Sequence, residues 1–305
     1  MTSWELPRLS DEKLESVEQA ILRAYDSRSV DHLRILGLGE LGLAIGWPTD
    51  DPVAVCKRQA AGPAADVESD AHRMQRYRSA LEERGARVLP TDLRALDAGK
   101  NRVVPYLVQP IVPPEQLAEN IIAADDPRPN HPILTAVRDI VLNVVTDEPE
   151  FGLSIDAQIT NFAVDADGPV LLDFTPPLIW DSTGGPFYDI GAYLSAIPLP
   201  LRPTALKLTR RSGDRYRTAR DTLRMTAVYL KRIDQERWVD SALATFNDRL
   251  DEPLRRDVVD STYDEMIRDL PMIKRLARVQ RAWQTRVRRR RYEFFITNSF
   301  TGEIL

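Results

Sequence analysis

Residues 154–174 read SIDAQITNFAVDADGPVLLDF. An aspartate, Asp156, and an asparagine, Asn161, lie five apart on what the pattern predicts to be a loop. Two short apolar runs follow, parted by the turn signal DADG, so the stretch predicts a loop and then two short strands. The second run, Pro169 to Leu172, ends in Asp173. An acid that terminates a buried run needs a partner, and a metal ion is one candidate. A loop carboxylate, a loop amide and a second carboxylate on the adjoining hairpin can together accept a hydroxyl proton and offer oxygen ligands to magnesium on a polyphosphate. The plainer alternative is an Asx-type loop and an acid at a strand end.

Upstream, residues 32–57 read as strand, glycine turn, strand, polar turn and strand. The glycine turn is Gly37-Leu38-Gly39-Glu40-Leu41-Gly42. In a dinucleotide-binding fold such glycines open a helix whose N-terminus meets the pyrophosphate. Here Gly46 and Pro48 bring a second turn within ten residues, which leaves no room for that helix. A hairpin lying over nucleotide phosphates fits the local pattern, and a plain glycine-bearing turn is the alternative. The third strand, Val53 to Lys57, places Val53, Val55 and Lys57 on one face. A lysine on an apolar face calls for an anion, unless it frays into solvent at the strand end.

Around these strands the chain predicts helices. Residues 11–25 carry Leu14, Val17, Ala20, Ile21 and Ala24 at helical spacing behind Ser10, a natural N-cap. Ala64 to Glu83 forms a longer helix, closed by Gly85. Residues 87–96 and 101–112 read as strands, with Lys100 and Asn101 at the turn between them. Beyond Pro113 and Pro114 the composition turns helical at 115–124, 131–145, 187–197 and most of 204–285. The expected class is α+β. A β-rich part spans residues 1–112 and a larger helical part spans 113–305, with the boundary near Val112.

These motifs, in this order, resemble the aminoglycoside-phosphotransferase and choline-kinase branch of the protein-kinase-like superfamily. The resemblance spans about residues 33–197 and implies a bilobal fold with a small antiparallel-sheet N-lobe and a helical C-lobe. It implies ATP or GTP with Mg2+ as cofactors. Asp156 would be the catalytic base, and Gln158 stands where the family often has a residue assisting the γ-phosphate. Asn161 and Asp173 would be magnesium ligands. Gly37, Gly39 and Gly42 would cover the phosphates, and Lys57 would meet them with Glu68, or Asp70, as its helix partner. Residues 106–112, which include Gln109 and Val112, resemble the hinge that grips adenine. Asp189, in the run Tyr188 to Tyr193, would pin the catalytic loop. Ser154 departs from the family's usual histidine, and Phe174-Thr175-Pro176-Pro177 replaces its usual segment after the metal aspartate.

The implied activity is phosphoryl transfer from ATP to a hydroxyl of a small molecule or peptide. A pseudokinase that binds nucleotide without transfer is the alternative, and nucleotidyl transfer on the same fold is a third reading. Composition limits the rest. The net charge of −5 argues against nucleic acid as a partner of the whole protein. One cysteine, Cys56, permits no internal disulfide and no cysteine zinc site. No stretch of about 20 apolar residues can span a bilayer, so no membrane partner and a cytoplasmic location are expected. Arginines crowd Arg281 to Arg291 beside Trp283 and Tyr292. They read either as a site for phosphate, carboxylate or an acidic peptide, or as a solvated helix face with arginine stems lying on Trp283. Trp180 and Asp181 are candidates for touching an acceptor, whereas Trp47 and Trp238 are expected to pack.

Overall fold

The computed structural model describes residues 4–38, 43–148, 150–181, 202–203, 206–207 and 213–293. The protein is α+β with antiparallel sheets. The expected helix at 187–197, the glycines at 39 and 42 and the aspartate at 189 lie outside the described residues.

The first helix, α1 (Asp11–Ser27), starts where expected. Ser10 caps it by accepting from the Lys13 amide, and Leu14, Val17, Ile21 and Ala24 are fully buried. A six-stranded antiparallel sheet follows: β1 (Arg34–Leu38), β2 (Leu43–Trp47), β3 (Ala54–Arg58), β4 (Gly62–Pro63), β5 (Asp92–Gly99) and β6 (Arg102–Pro110). β1, β2 and β3 form the expected meander, with Leu38 opposite Leu43 and Ala44 opposite Lys57. A strand therefore follows the glycine turn, as a hairpin requires, and no dinucleotide-binding helix does. Lys100 and Asn101 both take left-handed backbone angles near φ 57°, and this paired twist lets a two-residue turn join β5 to β6.

Alternation along β6 divides the interior. Tyr106 and Val108 join a buried cluster with α1, while Leu107 joins a second cluster with α2 (Ala64–Glu83). On β3 the same alternation buries Ala54, Cys56 and Arg58 and leaves Val55 and Lys57 half-buried. Val53 precedes the strand and is exposed, so the expected apolar face is shorter than its spacing suggests.

α2 buries Val67, Met74, Tyr77 and Leu81, and Gly85 follows it at φ 85°. The second cluster continues into α3 (Ala118–Ala124), α4 (Pro132–Val144), α5 (Ala219–Arg232), α6 (Val239–Asn247) and the start of α7 (Arg256–Ala282). Trp238 is fully buried there, its ring edge-on to His131. Between α4 and α5 lie β7 (Thr146–Asp147), β8 (Phe151–Leu153), β9 (Phe162–Asp165), β10 (Gly168–Leu171) and β11 (Ile179–Asp181). β9 and β10 form the expected hairpin, whereas the small sheet β11-β8-β7 was not legible in composition.

Candidate functional site

The residues quoted first stand together. Asn161 Nδ2 donates to the Asp156 carbonyl at 3.0 Å. The Asn161 carbonyl accepts from the Leu172 amide at 2.7 Å. The Leu172 carbonyl in turn accepts from Lys57 Nζ at 3.0 Å. Three hydrogen bonds thus run from Asp156 to Lys57 through the loop, the β9–β10 hairpin and β3. Lys57 Nζ also stands 3.3 Å from Asp173 Oδ2. The anion that a lysine on this face requires is supplied within the protein by Asp173.

The chain around Asp173 is fixed on several sides. Asp173 Oδ1 accepts from the Thr175 amide at 3.0 Å and from Thr175 Oγ1 at 2.7 Å, an Asx turn. Gln109 is buried on β6, and its Nε2 donates to the Leu172 carbonyl and to Thr91 Oγ1, each at 2.9 Å. Gln109 therefore grips the strand leading to Asp173 with its side chain. Val112 lies half-buried two residues beyond β6. Arg87 reinforces the hairpin from outside through a paired contact with Asp165 at 2.7 and 2.6 Å.

Asp156 is only partly exposed. Its Oδ1 is enclosed and has no hydrogen-bond partner, while Oδ2 accepts from Gln158 Nε2 at 2.6 Å. Burial raises its pKa to about 6, and the nearby charge of Asp173 pushes the same way, while the polar groups of Tyr216, Gln158 and Asn161 around it pull it down. A carboxylate that titrates this close to neutrality can take up and release a proton under ordinary conditions. Gln158 is turned onto this carboxylate rather than free for a phosphate.

Glu68 requires a correction. It lies exposed on α2 and makes no ion pair with Lys57, and the alternative, Asp70, is exposed as well. The residue through which α2 meets the loop is Tyr77. Its hydroxyl donates to the Ser154 carbonyl at 2.7 Å from a buried position. Tyr77 shares the buried face of α2 with Met74 and Leu81, and its phenol oxygen is what lets a core residue take on a second task. Ser154, in turn, contacts Thr222 Oγ1 at 3.2 Å, and Thr226 Oγ1 donates to the Ala157 carbonyl at 2.9 Å. Two threonines one turn apart on α5 thus hold the loop from below, and helical spacing alone could have paired them.

A second unforeseen group lies behind Lys57. Arg58 is buried on the opposite face of β3 and makes a two-pronged contact with Glu18 of α1 at 2.7 and 2.8 Å. Its Nη2 also reaches Glu293 Oε2 at 3.1 Å. Tyr106 donates to the same Glu18 carboxylate, and Glu293 accepts from the Ala61 amide at 3.0 Å. Arg291 adds a paired contact with Asp26 of α1 at 2.7 and 2.8 Å. Arg291, grouped in the sequence with an acidic-partner site, is therefore engaged inside the molecule.

For magnesium, the donor set is hard oxygen only: the Asp173 carboxylate and the Asn161 amide oxygen, beside the unpartnered Asp156 Oδ1. That set suits magnesium bridging phosphates better than a softer metal. No group of three or more histidine, cysteine, aspartate or glutamate residues that could hold an ion by itself occurs among the described residues. No helix among them is long and apolar enough to cross a membrane. Trp180, a candidate acceptor contact, packs its indole over Gly152, and the Arg217 guanidinium lies 5.7 Å from the ring centre.

Among family models, one described as "Family of unknown function (DUF6206)" matches residues 55–281. No curated protein matches the chain. The match begins two residues before Lys57 and takes in Asp156, Asn161 and Asp173.

Proposed function

The chain belongs to the DUF6206 family, whose description names no function, and from the site itself we propose that it is an ATP- and magnesium-dependent phosphotransferase on a bilobal kinase-like fold. The observation that carries this reading is the convergence of Lys57, Asp173, Asn161 and Asp156 through one run of hydrogen bonds and one ion pair.

In this reading residues 1–112 form the N-lobe and 113–305 the C-lobe. The nucleotide lies between them, with its adenine against 106–112 and its phosphates under the Gly37–Gly42 hairpin. Lys57 exchanges Asp173 for phosphate oxygens. Asp173 and Asn161 would hold magnesium, whose charge would offset that developing on the phosphates. An acceptor hydroxyl, on a small molecule or peptide, attacks the γ-phosphorus. The bond from that phosphorus to the β–γ bridging oxygen breaks, ADP departs with the electron pair, and the hydroxyl proton passes to Asp156. Burial that lifts the Asp156 pKa to about 6 supports that role, because an ionised base near neutrality accepts a proton most efficiently.

One observation favours a second reading, a pseudokinase. The Gln158 amide donates to Asp156 Oδ2 at 2.6 Å, so one carboxylate oxygen is already occupied. Ser154 also stands where the kinase-like family that the sequence resembles usually has histidine. Incubation of the protein with ATP and magnesium, with products resolved by chromatography, separates the cases. ADP that forms in the wild type and vanishes in Asp156→Asn supports the transferase. A nucleotide-induced rise in melting temperature without ADP supports the pseudokinase, and pyrophosphate in place of ADP indicates nucleotidyl transfer.

A further inference from the structure

The stretch KRLARVQRAWQTRVRRRR, residues 274–291, holds one lysine and eight arginines and no acid. The rest of the chain therefore carries a net charge of −14, nine more negative than the whole chain's −5. So steep a separation makes this segment an electrostatic feature of its own.

Apolar side chains stand exposed among the cations. Met272 is 40% exposed, Val279 43%, Trp283 38% and Val287 59%. Their spacings are seven, four and four. At helical pitch Met272, Val279 and Trp283 fall within roughly 40° of one another around α7. Val287 follows one turn later, at the end of the π-type turn Trp283–Val287. Arg275, Arg278 and Arg286 flank this line, and Arg288, Arg289 and Arg290 continue it, all exposed. None of these six arginines makes an ion pair among the described residues. The segment is not a loose tail, because Arg291 and Glu293 moor its far end to Asp26 and Arg58.

We propose that this seam is a docking surface for an acidic amphipathic helix of a partner protein. Three physical arguments select that occupant. A second copy would bring the six unpaired arginines against the same six, and like charges flanking an apolar seam oppose pairing. Nucleic acid satisfies the arginines but leaves the exposed valines and methionine against a polar backbone. A bilayer surface takes a broad apolar face, whereas this line is one side chain wide with heptad-like spacing, the pattern by which one helix seats another. Acidic residues beside the partner's own apolar line then meet unpaired arginines, whose planar forks suit carboxylates.

The test uses the full chain and fluorescence anisotropy. The probe is a labelled peptide of glutamate and leucine repeating every seven residues, compared with a scrambled peptide of equal composition. The patterned peptide is expected to bind at least about tenfold more tightly than the scrambled one. Two variants are each expected to weaken it about tenfold: the combined Arg286→Gln, Arg288→Gln, Arg289→Gln and Arg290→Gln, and the single Val279→Ser. All five side chains are exposed, so unchanged melting temperatures check that the fold persists. Equal binding of both peptides, or no binding of either, overturns the proposal. So does tighter, seam-dependent binding to phosphatidylglycerol vesicles or to duplex DNA.

Discussion

Lys57 and Asp173 stand 3.3 Å apart, joining β3 to the end of the β9–β10 hairpin across the interior of the molecule. The lysine side chain is 18% exposed and the aspartate 34%. The pair is thus reachable from solvent yet shielded enough for its charges to matter. Lys57→Met removes the charge while keeping the aliphatic stem. It is expected to weaken the affinity for magnesium-nucleotide by about tenfold or more. Asp173→Asn is expected to abolish the magnesium dependence of whatever binding remains. Calorimetric titration with and without magnesium reads both, and unchanged affinity in both variants would remove the nucleotide from this site.

Asp156 gives the pH dependence. Its pKa is raised to about 6, so it is ionised at neutral pH and protonated in mild acid. Activity that uses it as a base is expected to rise through about pH 6 and level off above. The stability consequence has the opposite sign. A carboxyl raised above its unfolded value of 3.8 holds its proton more tightly when folded, so its contribution declines as pH climbs from that value to about 6. Asp156→Asn removes this decline. The variant should gain on the wild type by about 2 kcal/mol across that window, allowing for partial exposure. Urea unfolding at pH 4 and pH 7 measures the difference, and equal differences at both would contradict the raised pKa.

Behind Lys57, the Arg58 guanidinium depends on its acids. Glu18→Ala leaves a buried cation with Glu293 as its remaining carboxylate, beside the Gln59 carbonyl and the Tyr25 ring. The expected loss is about 3–5 kcal/mol by chemical denaturation, the usual result of breaking one side of a buried pair. Burial raises the Glu18 pKa, but the hydrogen bonds and charge of Arg58 and the Tyr106 hydroxyl outweigh it, and the net shift is downward. Its contribution is therefore present above the ordinary carboxylate range and lost as pH falls through the folded value. Wild type and Glu18→Gln should then differ most near neutrality and converge in acid.

Gly152 faces the Trp180 indole so closely that an added Cβ would lie 1.7 Å from Nε1. Gly152→Ala is expected to cost about 1–3 kcal/mol as β8 and β11 part to relieve the overlap. A second change, Trp180→Leu, should restore part of that loss. Calorimetric melting of the single and double variants decides it, and an unaltered melting temperature for Gly152→Ala would place the indole elsewhere.

Tyr77 offers a test of how α2 reaches the loop. Tyr77→Phe keeps the buried ring and leaves the Ser154 carbonyl without its 2.7 Å donor. The expected cost is about 1–2 kcal/mol, with a larger relative loss of turnover than of nucleotide affinity if the loop is displaced. A stability loss with turnover unchanged would make the bond purely architectural.

By itself the sequence determined what local chemistry determines. Period 3.6 placed α1 and α2, and the strong turn signals at Lys100 and Asn101 and at Asp165 to Gly168 placed the β5–β6 and β9–β10 hairpins. An acid at the end of an apolar run marked Asp173, and alternation put Lys57 on a face where it needed an anion. Those rules act over a few residues and leave a readable pattern. Tertiary structure alone decided who answers whom. Lys57 could be seen to lack an anion, but not that Asp173 rather than Glu68 would supply it. Neither the burial of Arg58 between α1 and Glu293 nor the grip of Tyr77, Thr222 and Thr226 on the loop has a local signature. A polar group taken from water must find its partner wherever packing brings one, and sequence separation says nothing about that distance.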